Sequence, residues 1–172
     1  MACGSGTTTV KPVGTPSAGS TVPSAQPSNA VLNAKFGQTY QLHYVNDYDF
    51  KRSGAPPVYV DYSVLVNAPT ITRGALSQYG SPPSHGYYVV FRATIAAGPQ
   101  TVSYNVMNFA VRDAANESTR CGTGEDTLNT GTLHAEQQAS GTVICDVAVV
   151  HGTLVFDPTR VEDSGSLVEW KF

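Results

Sequence analysis

The sequence predicts an all-β fold: an antiparallel sandwich of about seven to eight strands behind a flexible N-terminal tether. Three observations carry this expectation. Apolar residues recur every second position in segment after segment, and no segment shows the 3.6-residue period of an amphipathic helix. Sixteen Gly and 11 Pro cut the apolar runs into short pieces. The stretch from Gly141 to Phe172 reads as three strands by itself and holds the only tryptophan.

Composition narrows the class further. A chain of 172 residues with 41% hydrophobic content can bury a real core, while 13% charged is about half the usual share. Few charges with much Ser, Thr, Val, Gly and Pro is a pattern of extracellular β-proteins. A formal charge of −3 argues against nucleic acid as a partner, because phosphate binding needs clustered Lys and Arg. No apolar run approaches the roughly 20 residues that span a bilayer. No signal peptide is legible, so for an exported protein it would have been removed from this chain.

In chain order, residues 1–35 form the first expected region. Residues 4 to about 30 are almost wholly Gly, Ser, Thr, Pro, Ala and Val, with Lys11 the sole charge. Such a segment buries too little surface to offset an ordering entropy of roughly 1–2 kcal/mol per residue. It is expected to be a disordered tether. At its head, Ala2-Cys3-Gly4-Ser5 resembles the end of a bacterial lipobox, which makes Cys3 the candidate lipidation site and Met1 a stand-in for a removed signal. A stray thiol in a flexible tail is the bland alternative.

The folded domain is expected over 36–172. Tyr40, Leu42 and Tyr44 alternate with Gln41 and His43, a half-buried strand. After a loop through Asp47–Pro57, Val58 to Asn67 places Val58, Val60, Tyr62, Val64 and Val66 on one face, until Asn67-Ala68-Pro69 ends it. Residues 73–86 are turn-rich and long. Tyr87 to Ile95 is the clearest strand, with Val89, Phe91, Ala93 and Ile95 in one set. Val102, Tyr104 and Val106 then hold even positions while Met107, Phe109 and Val111 hold odd ones, so a bulge or bend is expected near Asn108. Residues 113–131 read as a polar loop and Thr132–Ala139 as a weaker strand. In the closing stretch, Val143, Cys145, Val147 and Val149 share a face, as do Leu154 and Phe156. Val168, Trp170 and Phe172 alternate with Glu169 and Lys171, which reads as the edge that closes the domain.

Cys121 lies in the polar loop and Cys145 on a core face, so a Cys121–Cys145 disulfide would pin loop to sandwich. Two independent thiols are the alternative. Two cysteines without clustered histidines do not complete a metal tetrahedron.

Several of these patterns occur in one order: Phe36-Gly37-Gln38, GYYVVFRATI with a Gly-Pro turn, MNFAVRD, GTVICDV, GTLVFDP and a terminal VEWKF. This order resembles the immunoprotective extracellular protein family of mycobacteria and related uncharacterised actinobacterial lipoprotein domains. The resemblance implies an immunoglobulin-like sandwich, exported, with no established catalytic residues to carry over.

The four histidines, His43, His85, His134 and His151, are far apart in sequence. The His-x-His pair of a copper–zinc superoxide dismutase is missing, as are His-Glu-x-x-His and Gly-x-Ser-x-Gly. Asp47 with Asp49, or Glu125 with Asp126, could be half of a calcium site, but turn chemistry explains them more cheaply. Asn116-Glu117-Ser118 matches a glycosylation sequon and means little in a bacterial chain. Glu162-Asp163 beside Ser164-Gly165 reads as a solvated hairpin tip.

Nine tyrosines are more suggestive. Tyr40, Tyr44, Tyr62 and Tyr87 are expected to cap the core with their hydroxyls in water. Tyr79, His85 and Tyr88 border the long loop and form the candidate contact surface. The expected function is therefore a non-enzymatic, surface-displayed binding module without metal or cofactor. Its partner would be a protein or envelope component, its state monomeric and its location the membrane anchor or cell surface. A small-ligand or lipid carrier with a cavity between the sheets ranks second, and a hydrolase with a dispersed site third.

Overall fold

The computed structural model describes residues 11–12, 31–46, 58–78, 80–122, 128–158 and 168–172. Two sheets pack face to face. The larger, six-stranded one contains β1 (Lys11–Pro12), β11 (Gln137–Val147), β6 (Tyr87–Ala97), β4 (Val58–Val66) and β3 (Thr39–Asn46) in that order, with β5 (Thr70–Thr72) also on β6. The five-stranded sheet runs β2 (Leu32–Ala34), β13 (Val168–Lys171), β12 (Thr153–Phe156), β8 (Phe109–Arg112), β9 (Ser118–Arg120). A separate ribbon pairs β7 (Val102–Tyr104) with β10 (Gly131–Leu133).

The period-two patterns become the inner faces. Val89, Phe91, Ala93, Ile95 and Ala97 of β6 and Ala139, Val143, Cys145 and Val147 of β11 are buried from one side. Phe109, Val111, Leu154, Phe156, Val168 and Trp170 meet them from the other. Rings bridge the gap: Phe91 to Phe109 at 5.4 Å, Phe109 to Phe156 at 4.6 Å and Phe156 to Tyr62 at 5.8 Å between centroids. Such contacts add about 0.5–1.5 kcal/mol each to plain burial.

Pro69 ends β4 as expected, yet the chain stays beside β6. β4 pairs with Ala93–Ala97, then β5 resumes against Tyr88–Val90. The parity slip near Asn108 is a turn of 3-10 helix, Val106–Asn108. The Asn105 side chain caps it by accepting the Met107 N–H at 2.8 Å. Asn108 itself is buried and donates through Nδ2 to the Asp157 carbonyl at 2.8 Å.

Four expectations are corrected. The weak strand over Thr132–Ala139 divides at Glu136, whose φ of +63° turns the chain. Its second half is the start of the eleven-residue β11. The polar loop after Asp113 contains β9, paired to β8. The terminal strand is not an edge, because β13 lies between β12 and β2. That β2–β13 pair is parallel, in an otherwise antiparallel set, and brings the sheet back to Leu32, ahead of Phe36. The alternation of Glu169 with Val168 and Trp170 does not carry into burial, since Glu169 is buried too and ion-paired with Arg112.

The strand count also exceeds expectation. Thirteen strands occur among the described residues, since pieces of two to four residues flank the long ones. The tether apart from Lys11–Pro12, the Asp47 and Asp49 loop, Glu125 with Asp126, and the Glu162-Asp163 tip all lie outside the described residues.

Candidate functional site

Cys121 and Cys145 form a disulfide, and both are buried. Cys121 follows β9 and still belongs to the smaller sheet, since its N–H donates to the Phe109 carbonyl at 3.0 Å. One residue later, Gly122 donates to Ile144 of the larger sheet at 2.9 Å. The bond sits where the chain passes from one sheet to the other. Leu128 then donates to Thr142 at 2.7 Å, and its backbone lies over Gly141.

Of the three candidate contact residues, Tyr79 lies outside the described residues. His85 and Tyr88 are brought together at one end of the larger sheet, and the group that joins them is Asp146. Tyr88 and Asp146 are direct partners across β6 and β11, on the outward face. The loop before β6 folds back onto that pair. Asp146 Oδ2 accepts the Ser84 N–H at 2.8 Å and the Ser84 hydroxyl at 2.6 Å, while Oδ1 accepts the His85 N–H at 2.9 Å. The Tyr88 hydroxyl donates to the Ser81 carbonyl at 3.4 Å. Gly86, at φ +114°, supplies the backbone conformation that returns the chain into β6.

Partial burial alone would raise the Asp146 carboxyl pKa. The Ser84 hydroxyl, the His85 and Ser84 N–H groups and charge on the His85 ring together outweigh it, so the pKa lies below the usual aspartate value. The His85 ring stays 65% exposed, with Nδ1 3.5 Å from Asp146 Oδ1. Pro83 and Tyr88 are half-buried, while Ser81, Pro82 and Ser84 are exposed.

Ser, His and Asp in one cluster invite a test for nucleophilic catalysis. A relay needs the imidazole between hydroxyl and carboxylate, using both ring nitrogens. Here the Ser84 hydroxyl donates straight to Asp146, and Nδ1 is the His85 atom facing both groups, 3.2 Å from the Ser84 oxygen. The geometry is that of a clamp on a loop.

A second cluster occupies the opposite end of the sheet. His43 and Asp61 are cross-strand partners on β3 and β4, joined through His43 Nδ1 and Asp61 Oδ1. Tyr59, 44% exposed, stacks on His43 at 5.1 Å. His134 and His151 are exposed and separate. Among the described residues, no three His, Cys, Asp or Glu side chains converge to hold a metal ion.

The expected tyrosine caps divide. Tyr40 is half-buried, accepting from Lys35 N–H at 2.8 Å and donating to Gln38 at 3.0 Å. Tyr87 is half-buried under Arg73, whose guanidinium lies 4.7 Å from its ring centre and bonds its hydroxyl. Tyr62 is a core residue, only 3% exposed. The Tyr44 side chain is outside the described set. Between Tyr62, Val102, Tyr104, Asn108 and Phe156 the sheets leave a small pit with no room for a water molecule.

Sequence reading missed Asp146, Ser84, Asp61 and Tyr59. Only the alternation of Asp146 with Cys145 and Val147 signalled an outward carboxylate. Nothing local signalled its partners 61 and 62 residues away.

No protein-family model matches the chain, and no curated sequence matches it. Solved structures do. A secreted protein from Mycobacterium tuberculosis, MPT63, superposes with a TM-score of 0.59 at 19% identity, over 84% of this chain and 100% of that one. The yjhA protein from Bacillus subtilis gives 0.49 at 21% identity, over 64% of this chain and 90% of that one. The first match establishes a shared fold, an all-β sandwich. It bears out, at the level of fold, the resemblance drawn from the order of the strand patterns.

Proposed function

We propose that this chain is an extracytoplasmic, non-enzymatic binding module whose recognition surface is the Ser81–Tyr88 loop and the Asp146 that holds it. The observation that carries the reading is the clamp: one carboxylate accepts three hydrogen bonds from two consecutive loop residues. A loop fixed before it meets a partner loses less entropy on binding, and loops on rigid sheets are where recognition concentrates. His85 and the partly exposed Tyr88 supply an imidazole and a phenol, groups well suited to interfaces.

Export is supported by the buried disulfide, which persists in oxidising compartments, and by the secreted nature of the M. tuberculosis protein with this fold. Attachment to the membrane would run through Cys3, on the sequence pattern at the head of the tether. The pit too small for water speaks for a filled core and against a carrier at that place.

The test is cross-linking mass spectrometry with purified protein added to cell envelopes. Wild type should cross-link a defined partner that the His85→Ala/Tyr88→Ala double variant loses, while Lys171→Ala on the other sheet retains it. An identical set of cross-links for all three overturns this surface. A small molecule retained in native mass spectra would favour the carrier instead.

A further inference from the structure

We propose that Lys11–Pro12 is a strap: it fixes where the N-terminal segment leaves the sandwich, at the end of the larger sheet opposite the Asp146 loop site. The consequence for presentation rests on reading that site as the recognition surface; the strap itself does not.

Lys11 pairs with Gln138 and Pro12 with Gln137, on the edge of β11 that faces away from β6. Farther along the described part of that edge, Thr142 accepts from Leu128 and Ile144 from Gly122, so a chain joined at Gln137–Gln138 meets those segments before it reaches Asp146.

The residues suit the position. Lys11 is the only charge between residues 4 and 30, and Pro12 follows it. Lysine and proline are what natural sheets place on an outer edge, because both discourage a further strand from pairing. A pairing at Gln137–Gln138, made by the one Lys-Pro step of a segment otherwise lacking charge, covers that part of the edge and stands outermost in the sheet.

From Gln138 to Asp146 the strand spans about 26 Å at ~3.3 Å per residue. Cys3 lies 28 residues before Val31 but only eight before Lys11, so attachment at Lys11 cuts the greatest possible span from about 98 Å to about 28 Å at ~3.5 Å per residue. A chain held by its N-terminus is thus held close, by the end carrying Gln138 and Gly98, with Ser84, His85, Tyr88 and Asp146 facing outward.

Two measurements test this in the full chain with Cys3→Ser. Oxidative cross-linking of Lys11→Cys with Gln138→Cys should be at least ten-fold faster than with Arg92→Cys on the exposed face of β6. Comparable rates, as for a free tether, overturn the strap. For presentation, a histidine tag placed before Met1 attaches the protein to phosphatidylcholine vesicles containing a nickel-chelating lipid. Energy transfer to an acceptor lipid should be stronger from a dye on Thr101→Cys than on Ser81→Cys. The difference should vanish when residues 10–14 are replaced by Gly and Ser. Equal transfer in the intact chain overturns the orientation. Loss of the His85/Tyr88 partner is read separately, so recognition and strap can fail independently.

Discussion

Asp146 concentrates the residue-scale chemistry. Its carboxylate is stabilised in the folded state, so its folded pKa is below its unfolded one. Unfolding then takes up protons at low pH, and the stabilisation is present above the unfolded pKa and lost as pH falls through the folded value. With an ordinary aspartate near 3.8, the loss begins below about pH 4. Asp146→Asn should therefore be less stable than wild type at neutral pH, by about 1–2 kcal/mol given its partial exposure. Urea denaturation from pH 6 down to 2 should show the gap closing below about pH 4; a constant gap would assign the difference to packing. Gly141 is a residue of the opposite kind, needed for what it lacks. A Cβ there would stand 2.5 Å from the Leu128 nitrogen and 2.6 Å from its Cα, both backbone atoms that cannot swing aside. Gly141→Ala should cost at least about 1–3 kcal/mol, measured by the same denaturation, and Gly74→Ala, whose Cβ would meet Thr72 Oγ1 at an ordinary 3.7 Å, should cost far less.

At the scale of an element, the link between β7 and β8 shows how a pattern break becomes structure. The sequence switches parity between Val106 and Met107 because one turn of 3-10 helix rotates the strand, exposing Met107 between buried Val106 and Asn108. Two asparagines hold that turn, Asn105 as its cap and Asn108 as the donor to Asp157. Asn105→Ala should lower stability by about 1 kcal/mol through the lost cap. Asn108→Ala should lower it more, since a buried site loses its side chain and its bond across to Asp157. Thermal unfolding that ranks the two variants the other way would overturn this assignment. The break was legible because alternation is local; the turn type was not, since a bulge would produce the same slip.

For the whole molecule, the question is what joins the two sheets besides apolar packing. The disulfide does so at the crossing between β9 and β11 and closes a loop of 24 residues. Chain-entropy arguments put its contribution at about 3.5 kcal/mol. The Cys121→Ala/Cys145→Ala variant should lose about that much in guanidinium titration, and wild type in reductant should approach it. Both sulfurs are enclosed, so a thiol reagent should label neither cysteine in the native oxidised protein. Truncating the ring that meets both sheets, Phe109→Ala, should cost about 3–5 kcal/mol, a comparable loss at one position.

The chain by itself determined its class and three of its four long strands with the side of each that faces inward, because a period of two is a local property of the backbone. Val58–Val66 and Tyr87–Ala97 were legible to within two residues for that reason, whereas β11 was divided between two shorter readings. Tertiary structure alone decided the neighbours. That Leu32–Ala34 joins the terminal strand in parallel, and that Glu169 lies buried against Arg112, depends on strand order and register. Strand order is fixed by which faces bury best together, a sum over the whole core that no window of sequence contains. The loop site follows the same rule. His85 and Tyr88 stood out as residue types beside a loop, whereas Asp146 became their hub only when β11 settled against β6 and brought a carboxylate to Ser84 across 62 residues of chain.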